Sequence, residues 1–266
     1  MHDFRYVTKK QAQPIKDELY QILYMVQDLV RDNFTFSFTP IGSSSRNMIT
    51  YDAKSNIGFD FDINIEVNDD NEDFEPKEIR TIIRTAIDRV APRYGYKSCE
   101  DSTRVLTIKK VNTFTSRIIH SCDFAIVYNC TDGRQQYIRF NKDNNYYSWE
   151  YQAKGFADLN KKTDWLKKNG LWGNLQDYYI EKKNANENPD KHSRSVFAES
   201  INEMCQKKGY RKEPFSLPTA PQFLRADRHG QPLFIAFSPA LISAISFFIS
   251  AISTLSFSSH SSRVVA

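Results

Sequence analysis

The chain has 266 residues, of which 40% are hydrophobic and 14% aromatic, and this composition excludes wholesale disorder because it supplies enough apolar material for a packed core. Its length suits one large domain or two small ones. The formal net charge of +4 is mildly basic, which is compatible with an anionic partner such as a nucleotide or RNA but does not require one.

The first third of the chain predicts one helix and two strands. Residues 14–32 carry apolar side chains at helical spacing after Pro14, which predicts a helix with this proline in its first turn. Residues 34–41 alternate Phe with Thr or Ser, as expected for a strand with one buried face, and a Gly-Ser-rich loop follows. Residues 57–67 alternate again, with apolar side chains on one face and the polar residues Asp60, Asp62, Asn64 and Glu66 on the other.

The rest of the first 212 residues predicts more strands and then helices. An acidic loop precedes a second helix that begins at Pro76. The later predicted elements are strands 103–111 and 117–129, a hairpin within 135–151, and helices 161–168, 171–184 and 194–208. This order indicates an α+β fold with a helical C-terminal half.

The composition changes abruptly after residue 212. Beyond this point there is no Lys, Asn or Tyr, and five of the ten prolines occur there. We therefore divide the chain into a core domain at 1–155, a helical continuation at 156–212 and a Pro- and Ser-rich apolar tail at 213–266. Residues 233–257 are 25 consecutive uncharged residues, long enough to span a bilayer, but seven of them are Ser or Thr.

Three interpretations of this tail stay open. The tail is either a membrane anchor, a poorly folded extension, or an unrelated sequence joined to the domain by a frameshift or fusion. The compositional break favours the third interpretation. The four cysteines form no CxxC pair, which argues against a zinc site, and the polar N-terminus does not resemble a secretory signal. We expect a reducing, cytoplasmic setting, with membrane anchoring or weak membrane association through 233–257 as the alternative.

Three separated pieces of sequence fit one chemistry. Asp60 and Asp62 are two apart on a strand, so their carboxylates share one face, and such close like charges repel unless a cation lies between them. Asp123 lies inside an apolar strand, where an acid is costly unless it is paired or bound to metal. Gly42-Ser43 follows a strand and offers N–H and hydroxyl donors to a phosphate. Two divalent ions, Mg²⁺ or Mn²⁺, would resolve the repulsion.

These pieces, which read IGSSSRNMITYDAKSNIGFDFDINIEV and then SCDFAIVY, resemble the polymerase-β-like nucleotidyltransferase superfamily. Within it, the long spacer and the run FDFDINIEV are most similar to the branch of cyclic GMP-AMP synthase and the bacterial cyclic-oligonucleotide synthases. The resemblance implies a nucleotidyltransferase fold, with a mixed sheet and flanking helices.

The same resemblance implies a site and a reaction. Asp60, Asp62 and Asp123 would be both the catalytic residues and the ligands of two metal ions, and Gly42 and Ser43 would bind the phosphates of an NTP. A nucleoside monophosphate would pass to a hydroxyl with release of pyrophosphate. The acceptor stays open between a nucleotide, as in second-messenger synthesis, an RNA end, a protein and a small molecule.

Simpler interpretations compete with this site. The polar residues at 60–66 are also what the solvated face of an edge strand would show. Arg46 is a candidate for phosphate contact, although a loop arginine is more often solvated, and His120 reads as a satisfied core or surface histidine. The hairpin aromatics Tyr147, Trp149 and Tyr151 are more typical of core packing than of base stacking. For the whole chain, the alternatives are a degenerate nucleotide-binding or antitoxin-like module without turnover, and a membrane-anchored scaffold.

Overall fold

A computed structural model describes residues 2–55, 58–69, 71–152 and 157–211. These residues belong to one compact unit, Met1–Arg211. The predicted tail at 213–266, including the apolar run 233–257, lies outside the described residues. Within the part of the chain that is described, no helix is long and apolar enough to cross a membrane.

The elements confirm an α+β fold with a helical C-terminal half. The strands are β1 (Phe4–Tyr6), β2 (Thr35–Ile41), β3 (Thr50–Asp52), β4 (Phe59–Asn68), β5 (Glu100–Asp101), β6 (Leu106–Asn112), β7 (Arg117–Asn129), β8 (Gln135–Asn141) and β9 (Tyr146–Tyr151). The α-helices are α1 (Lys9–Val30), α2 (Gly42–Ser45), α3 (Pro76–Val90), α4 (Ala157–Lys168), α5 (Trp172–Ala185) and α6 (Ser193–Lys207).

Several predicted elements need correction. Helix α4 begins at Ala157 rather than at residue 161, and strand β6 begins at Leu106 rather than at residue 103. Helix α1 begins at Lys9 rather than at Pro14, because Thr8 and Gln11 form a capping box that starts the helix earlier. The predicted loop at Gly42–Ser45 is a short helix, α2, whose buried Ser44 hydroxyl donates to the carbonyl of Ile41 over 2.8 Å.

The main sheet is mixed, as predicted. Its strand order is β2-β4-β7-β6-β5, and β8 extends it from β7 toward β9. Strand β4 pairs antiparallel with β2 and parallel with β7. The parallel pair matters most for function, because it aligns two strands that each carry acids.

The apolar side chains of β4 and β7 form one face of the sheet. Phe61, Ile63, Ile65, Cys122 and Phe124 are all buried there. They share a hydrophobic cluster with α1 and α3, which we call the sheet core. Because side chains alternate along a strand, the polar residues between them face the opposite side.

Helices α4, α5 and α6 form a second hydrophobic cluster, which we call the helical half. Leu166, Leu175, Tyr179, Val196 and Ile201 are buried in it. The small sheet of β1 and β3 lies between the two clusters: Tyr6 of β1 packs on the helical half, and Tyr51 of β3 packs on the sheet core.

Candidate metal and nucleotide site

The three predicted acids meet on the polar face of the sheet. In the parallel pair of β4 and β7, Asp62 lies opposite Asp123 and Asp60 lies opposite Ser121. Each acid offers one carboxylate oxygen to a group in which all three oxygens lie within 4.8 Å of one another. Oxygen ligands at this spacing are the set that hard divalent cations prefer.

The interpretation of these acids as the solvated face of an edge strand is wrong. Strand β4 is hydrogen-bonded on both sides, to β2 and to β7, so it is an interior strand. Its acids therefore have a neighbouring strand on each side, β2 on one and β7 on the other.

Hydrogen bonds orient two of the three carboxylates. Ser121 Oγ donates to Asp60 Oδ1 over 2.8 Å, and Thr107 Oγ1 donates to Asp123 Oδ1 over 2.5 Å. Both donors are on strands next to the acid that they contact, so the sheet register fixes them as well. Among the described residues, the second oxygen of Asp60 and that of Asp123 have no hydrogen-bond partner.

The carboxylates oppose one another's ionisation. Desolvation and the charges of Asp123 and Asp62 raise the pKa of Asp60 to about 7, and desolvation and Asp123 raise the pKa of Asp62 to about 6. Desolvation also raises the pKa of Asp123, although its bond from Thr107 acts in the opposite direction. Asp60 is exposed to the cleft, so solvent screens part of its shift. A bound cation would remove the repulsion, so the residues present fit a divalent metal site.

The backbone at Gly42 lies so close to the same carboxylate cluster that this position requires a glycine. Its φ is +62°, a left-handed conformation, and a Cβ built on it would lie 2.5 Å from Asp62 Oδ2. Helix α2 is tied to β4 by the Ser44 hydroxyl, which also donates to the carbonyl of Asp62 over 3.3 Å. Lys16 of α1 supports the helix through a 2.8 Å bond to the Ser44 carbonyl. The predicted phosphate-binding pair, Gly42-Ser43, therefore lies directly beside the acids.

Three arginine or lysine side chains, Arg46, Lys183 and Arg194, also line this cleft. Arg46 was interpreted as a solvated loop residue, but it is half-buried, with its guanidinium 4.3 Å from the centre of the Phe197 ring. Its buried Nε has no hydrogen-bond partner among the described residues. The sequence does carry a signal for Arg46, because this residue follows the predicted phosphate-binding pair Gly42-Ser43 by only three positions.

The second cation, Lys183 of α5, gave no signal in the sequence. Its Nζ donates to Thr50 Oγ1 over 2.6 Å and lies 4.2 Å from the centre of the Phe4 ring. Desolvation lowers the pKa of Lys183 to about 8, although the charges of Asp60 and Asp52 oppose this. Its position depends on contacts more than 100 residues apart in sequence, which no local pattern shows.

Acids and cations line one cleft of about 880 Å³. This volume is within the range of small-molecule sites, roughly 300–1,000 Å³. Asp60, Asp62, Gly42 and Ser43 contribute its sheet side, and Lys183 contributes from the helical half. The arrangement can hold a ligand with several negative charges next to bound divalent cations.

The remaining residues considered from the sequence lie elsewhere. His120 is buried on the helix-covered face, where its Nε2 is 2.7 Å from the Tyr96 hydroxyl. It is a core histidine as predicted, but it is only partly satisfied, because its buried Nδ1 has no hydrogen-bond partner among the described residues. Trp149 and Tyr147 pack against the sheet core. Tyr151 is exposed, and the guanidinium of Arg134 lies 3.9 Å from its ring centre.

Sequence and structure comparisons give different results. No family model matches this chain, and no curated protein matches it in sequence. The chain is similar to the crystal structure of Vibrio cholerae DncV bound to 3′-deoxy ATP, with 16% identity, a TM-score of 0.46, and coverage of 70% of this chain and 50% of that one. It thus spans about half the length of that structure.

Two further solved structures are similar. Vibrio cholerae DncV cyclic AMP-GMP synthase in complex with a linear intermediate has 11% identity and a TM-score of 0.48, with coverage of 97% of this chain and 88% of that one. Bradyrhizobium diazoefficiens CD-NTase CdnG in complex with GTP has 12% identity and a TM-score of 0.37, with 62% and 41% coverage. These enzymes are from the branch that the motifs resemble.

Proposed function

We propose that this protein is a metal-dependent nucleotidyltransferase, which moves a nucleoside monophosphate from an NTP to a hydroxyl acceptor and releases pyrophosphate. One observation carries the proposal. Three carboxylates on paired parallel strands offer oxygens within 4.8 Å of one another, and two of them, Asp60 and Asp62, line a cleft that also holds half-buried cationic side chains. A triphosphate with its metal ions has the matching charges.

Asp60, Asp62 and Asp123 would hold the divalent ions, two in number by the resemblance of the motifs. The ions would stabilise the charge that develops on the transferring phosphoryl group and its leaving pyrophosphate. The backbone N–H groups of α2 and the Ser43 hydroxyl would donate to phosphate oxygens, and Arg46 and Lys183 would balance the remaining triphosphate charge.

Asp123 would also accept the proton of the attacking hydroxyl. Burial raises its pKa, which makes its carboxylate a better base near neutral pH. The bond from Thr107 occupies Oδ1, so Oδ2 is the atom that would take the proton. The other two acids would then serve mainly as ligands.

Incubation of the full chain with each labelled NTP, in Mg²⁺ or Mn²⁺, tests the proposal. We expect release of pyrophosphate and a product in which a nucleoside monophosphate is linked to the acceptor. Candidate acceptors to include are a second NTP, RNA and total cell extract, because the structure does not select among them. Asp123→Asn should still bind the NTP and form no product.

The alternative, a binding module without turnover, predicts a different pattern. NTP would bind to the wild-type protein and to Asp123→Asn equally, and neither would release pyrophosphate under any of these conditions. Absence of NTP binding to the wild-type chain would contradict both functions.

A further inference from the structure

The helix that places Lys183 in the cleft is attached to strand β1 by side-chain hydrogen bonds. The next residue on α5, Asn184, makes two hydrogen bonds to the backbone of Phe4. Phe4 N donates to Asn184 Oδ1 over 2.6 Å, and Asn184 Nδ2 donates to the Phe4 carbonyl over 3.1 Å. Paired bonds in opposite directions fix both the distance and the orientation of the amide plane.

The residue that Asn184 binds also supports Lys183. The Phe4 ring lies 4.2 Å from the Lys183 ammonium, close enough for a cation–π contact. Strand β3, which pairs with β1, supplies Thr50, whose hydroxyl accepts a 2.6 Å bond from the same ammonium. Phe4 therefore connects the amide of Asn184 to the charge of Lys183.

Hydrogen bonds hold strand β1 from two sides, so its position relative to β3 and α5 is fixed. On one side, buried Asp52 accepts a 3.0 Å bond from Asp3 N and lies 2.7 Å from His2 Nδ1. On the other, the Tyr6 hydroxyl donates to the Gln176 carbonyl of α5 over 2.7 Å. A three-residue strand thereby joins the helical half to β3, which leads into the β4 strand that carries Asp60 and Asp62.

We propose that Asn184 is a positioning residue, which acts through Phe4 to hold the Lys183 ammonium in the cleft for contact with the triphosphate. This inference rests on the proposed function. A lysine side chain is flexible, and its affinity for a phosphate suffers when its rotamers must be ordered during binding. The bonds from Asn184 to Phe4 order the surface on which the Lys183 side chain lies before the ligand arrives.

A double-mutant cycle in the full chain tests whether Asn184 acts through Lys183. The probes are α,β-methylene ATP and α,β-methylene GTP with Mg²⁺, titrated well below the unfolding temperature, and the cycle uses whichever binds the wild type. We expect Lys183→Met to weaken binding by roughly 10- to 100-fold, as for loss of a charge-assisted hydrogen bond. Asn184→Ala should weaken it by about 5-fold alone, and by less than about 2-fold in the Lys183→Met background.

Two further variants separate positioning from a general loss of stability. Asn184→Asp keeps the acceptor for Phe4 N but places a carboxylate oxygen against the Phe4 carbonyl, so its affinity should fall at least as far as that of Asn184→Ala. Asn202→Ala is the matched control, because Asn202 accepts a 2.6 Å bond from Lys162 that joins α6 to α4 outside the cleft lining. We expect Asn202→Ala to leave the affinity unchanged, even if its melting temperature falls.

The outcomes distinguish the two proposals. An equal loss of affinity from Asn184→Ala in both backgrounds would mean that Asn184 only joins the two clusters, and would overturn the positioning role while the proposed function stands. Unchanged affinity in Lys183→Met or in Asn184→Ala would do the same. Failure of the wild-type chain to bind either analogue would overturn the proposed function and this inference together.

Discussion

The main sheet and the helical half contribute opposite charges to one cleft, and the charged side chains of each are held in place in different ways. Asp60, Asp62 and Asp123 are on strands whose positions are set by backbone pairing. Lys183 is on a helix joined to β1 by hydrogen bonds in which side chains take part. We therefore expect changes to the acids to have large effects on chemistry with little effect on the fold, and changes on the helical side to have graded effects on affinity.

The largest effect should follow loss of an acid. Asp62→Asn and Asp60→Asn should each lower the transfer rate by roughly 1,000-fold or more, since metal ions supply several kcal/mol of transition-state stabilisation. Pyrophosphate release measures this loss. Glu66→Gln is the control, because Glu66 lies on the same face of β4 outside the cleft lining. Equal rates in all four proteins would rule out the assignment of these acids.

A smaller but still large effect should follow Gly42→Ala. The new Cβ would come 2.5 Å from Asp62 Oδ2, so the carboxylate must move away from the cluster. Gly133→Ala is the matched control, since Gly133 also has a left-handed φ, +79°, but has no atom within 4 Å of the added Cβ. Both variants carry backbone strain of roughly 1–2 kcal/mol.

Transfer assays and melting curves of the two glycine variants should therefore differ. We expect both to melt earlier than the wild type, whereas only Gly42→Ala should lose transfer, by about 100-fold if Asp62 is displaced from its metal. If Gly133→Ala loses as much activity as Gly42→Ala, the effect is backbone strain and the crowding at Asp62 is irrelevant.

Ser43→Ala should have a modest effect on NTP affinity. Ser43 lines the cleft immediately after Gly42, and one hydrogen bond to a phosphate contributes about 1 kcal/mol, or roughly 5-fold in affinity. Titration with a non-hydrolysable NTP measures it. An unchanged dissociation constant would remove the hydroxyl from phosphate binding and leave only the backbone of α2 in that role.

The smallest expected effect is on the pH dependence of the protein's thermal stability in the absence of metal ions. The pKa values of Asp60, about 7, and Asp62, about 6, are above the ordinary 3.8. Between these pH values, the folded state therefore keeps protons that the unfolded state has lost. The contribution of these two groups to the free energy of unfolding is largest below pH 3.8 and is lost as the pH rises toward 7. In EDTA, the melting temperature should fall more over this range for the wild type than for the Asp60→Asn/Asp62→Asn double variant.

The difference in melting temperature between the two proteins should be small, because solvent at the exposed Asp60 screens part of the repulsion. Each ~1 kcal/mol of repulsion relieved corresponds to a rise of about 2–4 °C in melting temperature for a domain of this size. Saturating Mg²⁺ at pH 8 should reduce the gap between the two proteins. Parallel melting profiles in EDTA would show that the acids do not oppose one another.

The strands were predictable because period-2 alternation determines which side chains share a face. The alternation at 57–67 placed Asp60 and Asp62 together, and the isolated acid in the apolar run at 117–129 marked Asp123. Strands β1 and β3 have only three residues each, too short for a periodic pattern, so they were missed. The positions of Arg46 and Lys183 depend on tertiary contacts and could not be derived from local spacing.

Direct binding of Mn²⁺, followed by electron paramagnetic resonance, tests the central claim that Asp60, Asp62 and Asp123 form a metal site. The full-length wild type and Glu66→Gln should bind Mn²⁺ saturably in the presence of α,β-methylene ATP or GTP. Asp62→Asn should bind it much more weakly while retaining the wild-type circular dichroism spectrum. Equal Mn²⁺ binding by the wild type and Asp62→Asn would contradict the account.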